Sequence, residues 1–338
     1  MTTTSLRISA ETMRRTFYDI LIRENVSPEI AEKCAAIFIE NSLDGIYSHG
    51  VNRFSRFVGH IKKGFVKPEE KPSLIHAFGN MEQWDGNLGP GPLNAMQVAE
   101  RSMEIAQKFG IGLVGLSNTN HWMRGGTYGF KCAQKGFAFI GWTNTIANLP
   151  PWGSAQNKLG NNPIVFAVPF RGDAILLDMA VSQYSFGKLK DCENFGKKLP
   201  QIGGYTADGE LTTNPGEILN GGRALPIGFW KGSALSLLLD ILVTILSAGL
   251  STQQISAKGK EEYAVSQVFI SIDLSKLKNF PAIESTIEQI IRDYESAEPI
   301  DLDQPVHYPG QHRSQIRQEN LRTGIPVSPK VWDKIRSL

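Results

Sequence analysis

The sequence predicts an α+β protein in which a central domain with a largely β-sheet core, residues 76–281, sits beside a helical domain. That helical domain is assembled from both termini, residues 1–75 and 282–338. Two observations lead there. Apolar residues recur at helical spacing near both ends of the chain, and between them short apolar runs without helical period take over. Helices segregated from a sheet in this way define the α+β class.

The first segment is helical because Met13, Phe17, Ile20 and Leu21 fall on one face, as do Ile30, Cys34, Ile37, Phe38 and Asn41. Ser27-Pro28-Glu29 is a helix start: a capping hydroxyl, a proline at the first position and an acid near the positive end. Another helix is expected over 92–108. Strands follow at 110–116, 137–142, 163–169, 174–179 and 265–274; in the last, Val268, Ile270 and Ile272 alternate. The apolar run 231–248 returns as a long buried helix, with Asp240 held by a buried hydrogen-bond partner, and 282–294 is a further amphipathic helix. Residues 301–313, with Gln304-Pro305 and Tyr308-Pro309-Gly310, are loop-like.

Composition excludes several classes. The chain has 35 basic and 33 acidic residues in 338, so no global positive field points to nucleic acid. Its most apolar stretch, Leu235 to Leu246, is shorter than the ~20 residues a bilayer requires and carries Asp240, so no membrane partner is expected. The start, Met1-Thr2-Thr3-Thr4-Ser5-Leu6-Arg7, lacks the apolar segment of a signal peptide. Cys34, Cys132 and Cys192 are far apart and have no zinc-ligand spacing, so reduced thiols in a cytoplasmic protein are expected.

Gly110-Ile111-Gly112-Leu113-Val114-Gly115 matches GxGxxG, yet the dinucleotide fingerprint needs those glycines between a strand and the helix it feeds. Here they follow a predicted helix and belong to the strand itself. The next acid is Asp173, too distant to read a ribose hydroxyl. Close backbone packing is the better reason for these glycines.

Tyr47-Ser48-His49-Gly50-Val51-Asn52-Arg53-Phe54 carries the strongest chemical signal. It sets an imidazole able to exchange a proton near neutral pH four residues before a guanidinium able to grip a carboxylate. An exposed helix face would read similarly. A second pair, His121 and Arg124, lies in the polar, glycine-rich stretch 117–129 at the end of a predicted strand; a plain turn into a helix is the alternative. Residues 142–144, 150–154 and 160–163 form a further turn-rich cluster. Trp230-Lys231-Gly232-Ser233 opens the long apolar helix, where a helix N-terminus beside a lysine suits a phosphate and simple capping competes. His60 and His76 have no such company. No GxSxG elbow, HExxH, P-loop or EF-hand occurs.

Taken together, 47–54, Asn120-His121-Trp122-Met123-Arg124-Gly125-Gly126 and Pro150-Pro151-Trp152-Gly153 resemble the malate/L-lactate dehydrogenase type 2 family of NAD(P)-dependent oxidoreductases. The resemblance extends over essentially the whole chain, including Glu82-Gln83-Trp84-Asp85, Gly228-Phe229-Trp230-Lys231-Gly232-Ser233 and Val331-Trp332. It implies a non-Rossmann NAD-binding domain, NADH as cofactor, no metal, a cytoplasmic homodimer and a small-molecule substrate. The Trp122-Met123-Arg124 stretch favours a branch of the family that reduces a 2-keto sugar acid at C2. Malate, lactate, sulfolactate and ureidoglycolate are the alternatives within the family; a metal-dependent lyase and a non-catalytic sugar-acid binding protein are those outside it.

By position, the resemblance makes His49 the proton donor. It puts cofactor contacts at Ile175, Leu176, Leu177, Asp178, Met179 and Ala180, at Trp230 and Lys231, and at Gly310, Gln311 and His312. Gln311-His312 departs from the family's usual Gly-His-Glu order. His121 is expected as a second acid–base or substrate-orienting group, and Ser48, Arg53 and Arg124 as substrate contacts, with one of the two arginines on the substrate carboxylate.

Overall fold

The computed structural model describes residues 5–194, 196–301 and 303–338. Strand β1 (Leu6–Ile8) precedes helices α1 (Ala10–Arg23), α2 (Pro28–Leu43) and α3 (Val51–Lys62), with a 3₁₀ turn, Tyr47–His49, joining the last two. The middle of the chain runs β2 (Ser73–Phe78), β3 (Met81–Asp85), α4 (Gly91–Phe109), β4 (Ile111–Thr119), α5 (Gly126–Gln134), β5 (Phe137–Thr143), β6 (Ile164–Phe170) and β7 (Asp173–Met179). A smaller lobe follows: α6 (Phe186–Asn194), β8 (Gly204–Tyr205), β9 (Leu211–Thr212), α7 (Pro215–Leu219) and β10 (Arg223–Ala224). The chain then continues through α8 (Trp230–Ser247), α9 (Thr252–Ala257), β11 (Val265–Asp273), α10 (Ile283–Glu295), α11 (Arg313–Thr323), β12 (Ile325–Val327) and α12 (Pro329–Arg336).

Seven strands form one mixed sheet in the order β2-β3-β4-β11-β5-β6-β7. Only β3 and β4 run parallel, and α4 is the crossover such a pair requires. All five strands expected from the sequence are present. The hairpin β2–β3 was not expected, and β2 is exposed along its whole length at the sheet edge.

The decoy glycines explain how helices cover both faces of β4. A Cβ on Gly112 would lie 2.1 Å from the Ser102 carbonyl oxygen of α4, and one on Gly115 would lie 2.3 Å from that of Leu246 in α8. The two positions point to opposite faces of the strand, so each glycine lets one helix backbone approach. Trp122, Tyr128, Phe139 and Phe269 fill the α4 side. On the other side, Trp142 donates its indole N–H to the Leu239 carbonyl at 3.1 Å.

A separate core holds α1, α2, α3 and α12 together, where Phe17 and Phe54 stack with centroids 3.8 Å apart. Antiparallel pairing of β1 with β12, Leu6 opposite Val327, joins the two ends of the chain there. Helix α2 begins at Ser27 as expected, although the hydroxyl makes no capping bond; the Ser27 N–H instead donates to Glu69 Oε1 at 2.8 Å. Helix α10 is tied toward the sheet, Arg171 Nε meeting Glu288 Oε1 at 3.0 Å after β6.

Helix α8 is not the buried helix expected from its apolar run: its burial is confined to one face, and apolar side chains also cover the other. Gly232, Ser236, Leu239, Val243 and Ser247 pack inward, whereas Leu238 and Ile245 remain 56% and 61% exposed. Asp240 finds the partners expected of it: its Oδ1 accepts from Asn144 Nδ2 at 2.9 Å and from the Thr252 N–H at 2.9 Å.

Candidate active site

The 3₁₀ turn carrying His49 is wedged between α2 and α3, and buried polar residues of α2 fix it. Asn41 Nδ2 donates to the His49 carbonyl at 3.0 Å, and Ser42 Oγ accepts from the Val51 N–H at 2.9 Å. Gly50 is obligatory, since a Cβ there would lie 2.1 Å from Ser42 Oγ and 2.9 Å from the Phe38 carbonyl. Asn320 of α11 supports the same turn, donating to the Leu43 carbonyl at 2.9 Å. His49 is thus mounted on packed backbone, and Ser48 Oγ lies 3.0 Å from its Nδ1, leaving Nε2 to face a ligand.

His121 stands beside it, ring centroids 5.7 Å apart and planes 23° from parallel. The Met123 N–H donates to His121 Nδ1 at 2.9 Å, so a neutral His121 carries its proton on Nε2. Burial, with Arg53 and Arg124 beside it, pushes the His49 imidazole down to about 4. Burial comes first for His121 too, followed by Arg53 and His49, and its pKa falls well below the ordinary histidine value. Both rings are therefore neutral bases near pH 7 in the free protein.

The two arginines differ. Arg53 is a quarter exposed and makes only a long 3.9 Å pair with Glu262. Arg124 is buried, with Nη1 on Asp44 Oδ2 at 2.6 Å. Asp44 also meets Arg313 at 3.3 Å and Arg317 at 2.9 Å, so this carboxylate ties α11 to α2 and to the segment before α5. Arg124 Nε is buried and has no partner among the described residues.

Two of the patches expected to touch a cofactor each border β7 or the residues just after it. Gly310, at φ +90°, approaches Leu176 closely, and the Leu176 N–H donates to the Pro309 carbonyl at 3.0 Å, which lays the 305–312 loop along β7. Gln311 anchors that loop through Glu295 at 2.8 Å, and His312 packs edge-on against His307. Past β7, the Ile227 N–H donates to the Val181 carbonyl at 2.9 Å, bringing the start of α8 alongside. Leu176 is buried; Ile175, Met179 and Ala180 are half-buried; Leu177 and Asp178 are exposed.

Asp178 Oδ2 accepts from the Gly126 N–H at 2.7 Å, at the positive end of α5. Its side chain is open to solvent, yet the protein mass around it raises its pKa, opposed by Arg124 and the Gly126 N–H. Trp230 and Lys231 are exposed at the start of α8. There Trp152 packs on Phe229, and the Trp152 N–H donates to Ser233 Oγ at 2.9 Å. Trp152, Trp230 and Ser233, with Lys158, border an open cleft of about 440 Å³.

The cleft offers an exposed indole, Trp230, and a lysine, Lys158, near the start of α8, groups that suit the rings and phosphates of a nucleotide. Among the described residues, no group of three or more His, Cys, Asp or Glu side chains gathers as metal ligands do.

Sequence reasoning missed Asn41, Ser42, Asp44 and Thr127, which position the site without touching the reacting groups. Asn41 was the readable signal, a polar residue on an otherwise apolar helix face. Asp44 had none, because its arginine partners lie far away in sequence.

A mixed α/β chain with a stacked histidine pair beside a loosely paired arginine has the features of an oxidoreductase, and comparison with known proteins agrees. Residues 8–336 match the malate/L-lactate dehydrogenase family, and the chain belongs to it. It is 41% identical over 333 residues to a protein named 2,3-diketo-L-gulonate reductase from Pasteurella multocida, covering 98% of this chain and 100% of that one. The protein of the same name from Escherichia coli K12 is 40% identical with the same coverage. Among solved structures, malate dehydrogenase from Pyrococcus horikoshii superposes with a TM-score of 0.88 at 28% identity, covering 98% of this chain and 93% of that one.

Proposed function

We propose that this protein is an NADH-dependent reductase that converts 2,3-diketo-L-gulonate to 3-keto-L-gulonate. The stacked His49–His121 pair with Arg53 beside both rings carries this reading, because an α-keto acid needs a proton donor at its carbonyl and a cation at its carboxylate. The relatives at 40–41% identity supply the substrate.

The nicotinamide supplies the hydride to C2 when bound; this chain supplies the rest. Arg53 grips the substrate carboxylate and fixes which carbonyl face is presented. Arg124 is committed to Asp44 and acts at longer range. His49 Nε2 gives a proton to the developing alkoxide while Ser48 holds Nδ1, and His121 orients the neighbouring hydroxyl. Burial, helped by the guanidiniums of Arg53 and Arg124, keeps His49 neutral in the free site; the arriving carboxylate offsets the guanidiniums, so substrate and proton bind together.

Ile175 to Ala180, Trp230, Lys231 and Gly310 to His312 hold the cofactor, outside any Rossmann framework. Asp178 favours a ribose hydroxyl over a phosphate and hence NADH over NADPH. A second copy of the chain covers the apolar face of α8, making a homodimer. The three buried, unpaired cysteines suit a reducing cytoplasm. The test is oxidation of NADH and NADPH followed with 2,3-diketo-L-gulonate, oxaloacetate and pyruvate. Preference for oxaloacetate or pyruvate would assign the chain to a malate or lactate enzyme instead.

A further inference from the structure

Strand β11 opens irregularly. Its pairing with β4 carries a bulge between Val265 and Gln267, and Ala264 before it sits at φ +57°, a left-handed conformation that residues with a side chain rarely adopt. The Ser266 N–H donates to Asn144 Oδ1 at 2.9 Å and fixes the strand start. Just before this turn, three successive residues lie against α3 and the segment after it. Glu261 meets His60 at 3.2 Å and pairs with Lys63, Glu262 faces Arg53, and Tyr263 stacks on Phe65 with centroids 4.5 Å apart.

The two acids differ in their surroundings. Glu261 is a third exposed, whereas Glu262 is buried. Glu262 Oε2 accepts from the Ile146 N–H at 3.2 Å, and its Oε1 stands 3.9 Å from Arg53 Nη2. That separation exceeds hydrogen-bonding reach, so the N–H fork of Arg53 stays open to a ligand while the two charges still act on each other. Neighbouring cations have acids of their own: Arg124 lies on Asp44 at 2.6 Å, and Arg56 faces Glu261 at 3.9 Å. Arg53 can therefore take one carboxylate at close range. Once it does, Glu262 is a buried carboxylate beside an occupied cation, and a second negative charge entering the cleft meets it with little water to screen the repulsion.

We infer that Glu262 sets the charge of the substrate this site accepts: its carboxylate, fixed beside Arg53 by the Ile146 N–H, repels a second carboxylate and restricts the site to 2-keto acids that carry one. The inference rests on the reductase reading above, in which Arg53 grips the substrate carboxylate, and it adds what the site rejects. A 2-keto sugar acid meets the condition, because its tail carries neutral hydroxyl groups. Oxaloacetate does not, because its second carboxylate stands close to the reacting carbonyl. Glu262 touches no reacting atom; it acts on specificity through charge alone.

Glu262→Gln keeps an oxygen for the Ile146 N–H and removes the charge. The kcat/KM for oxaloacetate relative to pyruvate should rise about 10-fold, mostly through KM, as expected for one unit charge acting across a few ångströms at a partly screened site. Glu261→Gln makes the same change of charge on the outer side, against Lys63, and should move the ratio by no more than about 2-fold. In the wild type, the C4 methyl ester of oxaloacetate, which lacks the second charge, should be reduced with a kcat/KM about 10-fold above that of oxaloacetate itself. This comparison carries the test should Glu262→Gln fail to fold. An unchanged ratio in Glu262→Gln, an equal rise in Glu261→Gln, or equal use of oxaloacetate and its ester by the wild type overturns the role of Glu262. A uniform loss with both acids leaves the ratio unchanged and so counts against it. A wild-type enzyme that oxidises no NADH with 2,3-diketo-L-gulonate would instead contradict the reductase reading.

Discussion

Asn41 holds the His49 carbonyl at 3.0 Å with its amide nitrogen, and its amide oxygen accepts from Thr127 Oγ1 at 2.6 Å. One buried side chain therefore links the histidine turn to the first turn of α5, where Asp178 bonds the Gly126 N–H. The His49 turn and the start of α5 thus share one buried joint, beside the Arg124–Asp44 pair.

Asn41→Ala should cost about 1–3 kcal/mol, since it leaves the buried Thr127 hydroxyl and His49 carbonyl without their partner. Chemical denaturation measures that loss. Turnover should fall with it because the His49 backbone is released, whereas a stable variant with normal turnover would show that the joint is dispensable.

The pH profile follows from the low His49 value. Oxidation of the hydroxy acid needs the neutral base, so its kcat/KM should rise with pH only up to about 4 and stay level above. Reduction needs the protonated form, and its kcat/KM should decline as pH rises beyond the same point. A limb near 6.5 in the oxidation profile would mean that burial and Arg53 do not depress the ring.

Asp178→Ser removes the carboxylate from the cofactor groove. Relief of its repulsion toward a 2′-phosphate should shift the NADPH-to-NADH ratio of kcat/KM upward by about 10-fold, the equivalent of roughly 1.4 kcal/mol. An unchanged ratio would remove Asp178 from cofactor selection.

Ile241→Glu combined with Ile245→Glu charges the exposed face of α8 and leaves its inward residues intact. Light scattering should then report a monomer for the variant and a dimer for the parent chain. A variant of dimeric mass would put the interface elsewhere.

How much of this was readable beforehand depended on which force built each part. The strands Ile111–Thr119, Phe137–Thr143, Ile164–Phe170, Asp173–Met179 and Val265–Asp273 are driven by burial and stand out as apolar runs. The β2–β3 hairpin escaped because Leu74, Ile75 and Phe78 lie on an exposed edge, where no inward–outward alternation develops. Helix α11 escaped because Arg313 and Arg317 hold it through Asp44, and charge pairing leaves no period to read. His49, Arg53 and His121 were legible as chemistry-bearing types in polar company, but the pairing of the two rings and the commitment of Arg124 to Asp44 are long-range facts of the fold.

The proton-donor role of His49 is decided by comparing wild type and His49→Asn in NADH oxidation with 2,3-diketo-L-gulonate, alongside NADH binding followed by fluorescence. Wild-type turnover should be robust, with a fall of about 100-fold or more in the variant and NADH affinity largely unchanged. Wild-type turnover in His49→Asn would contradict it.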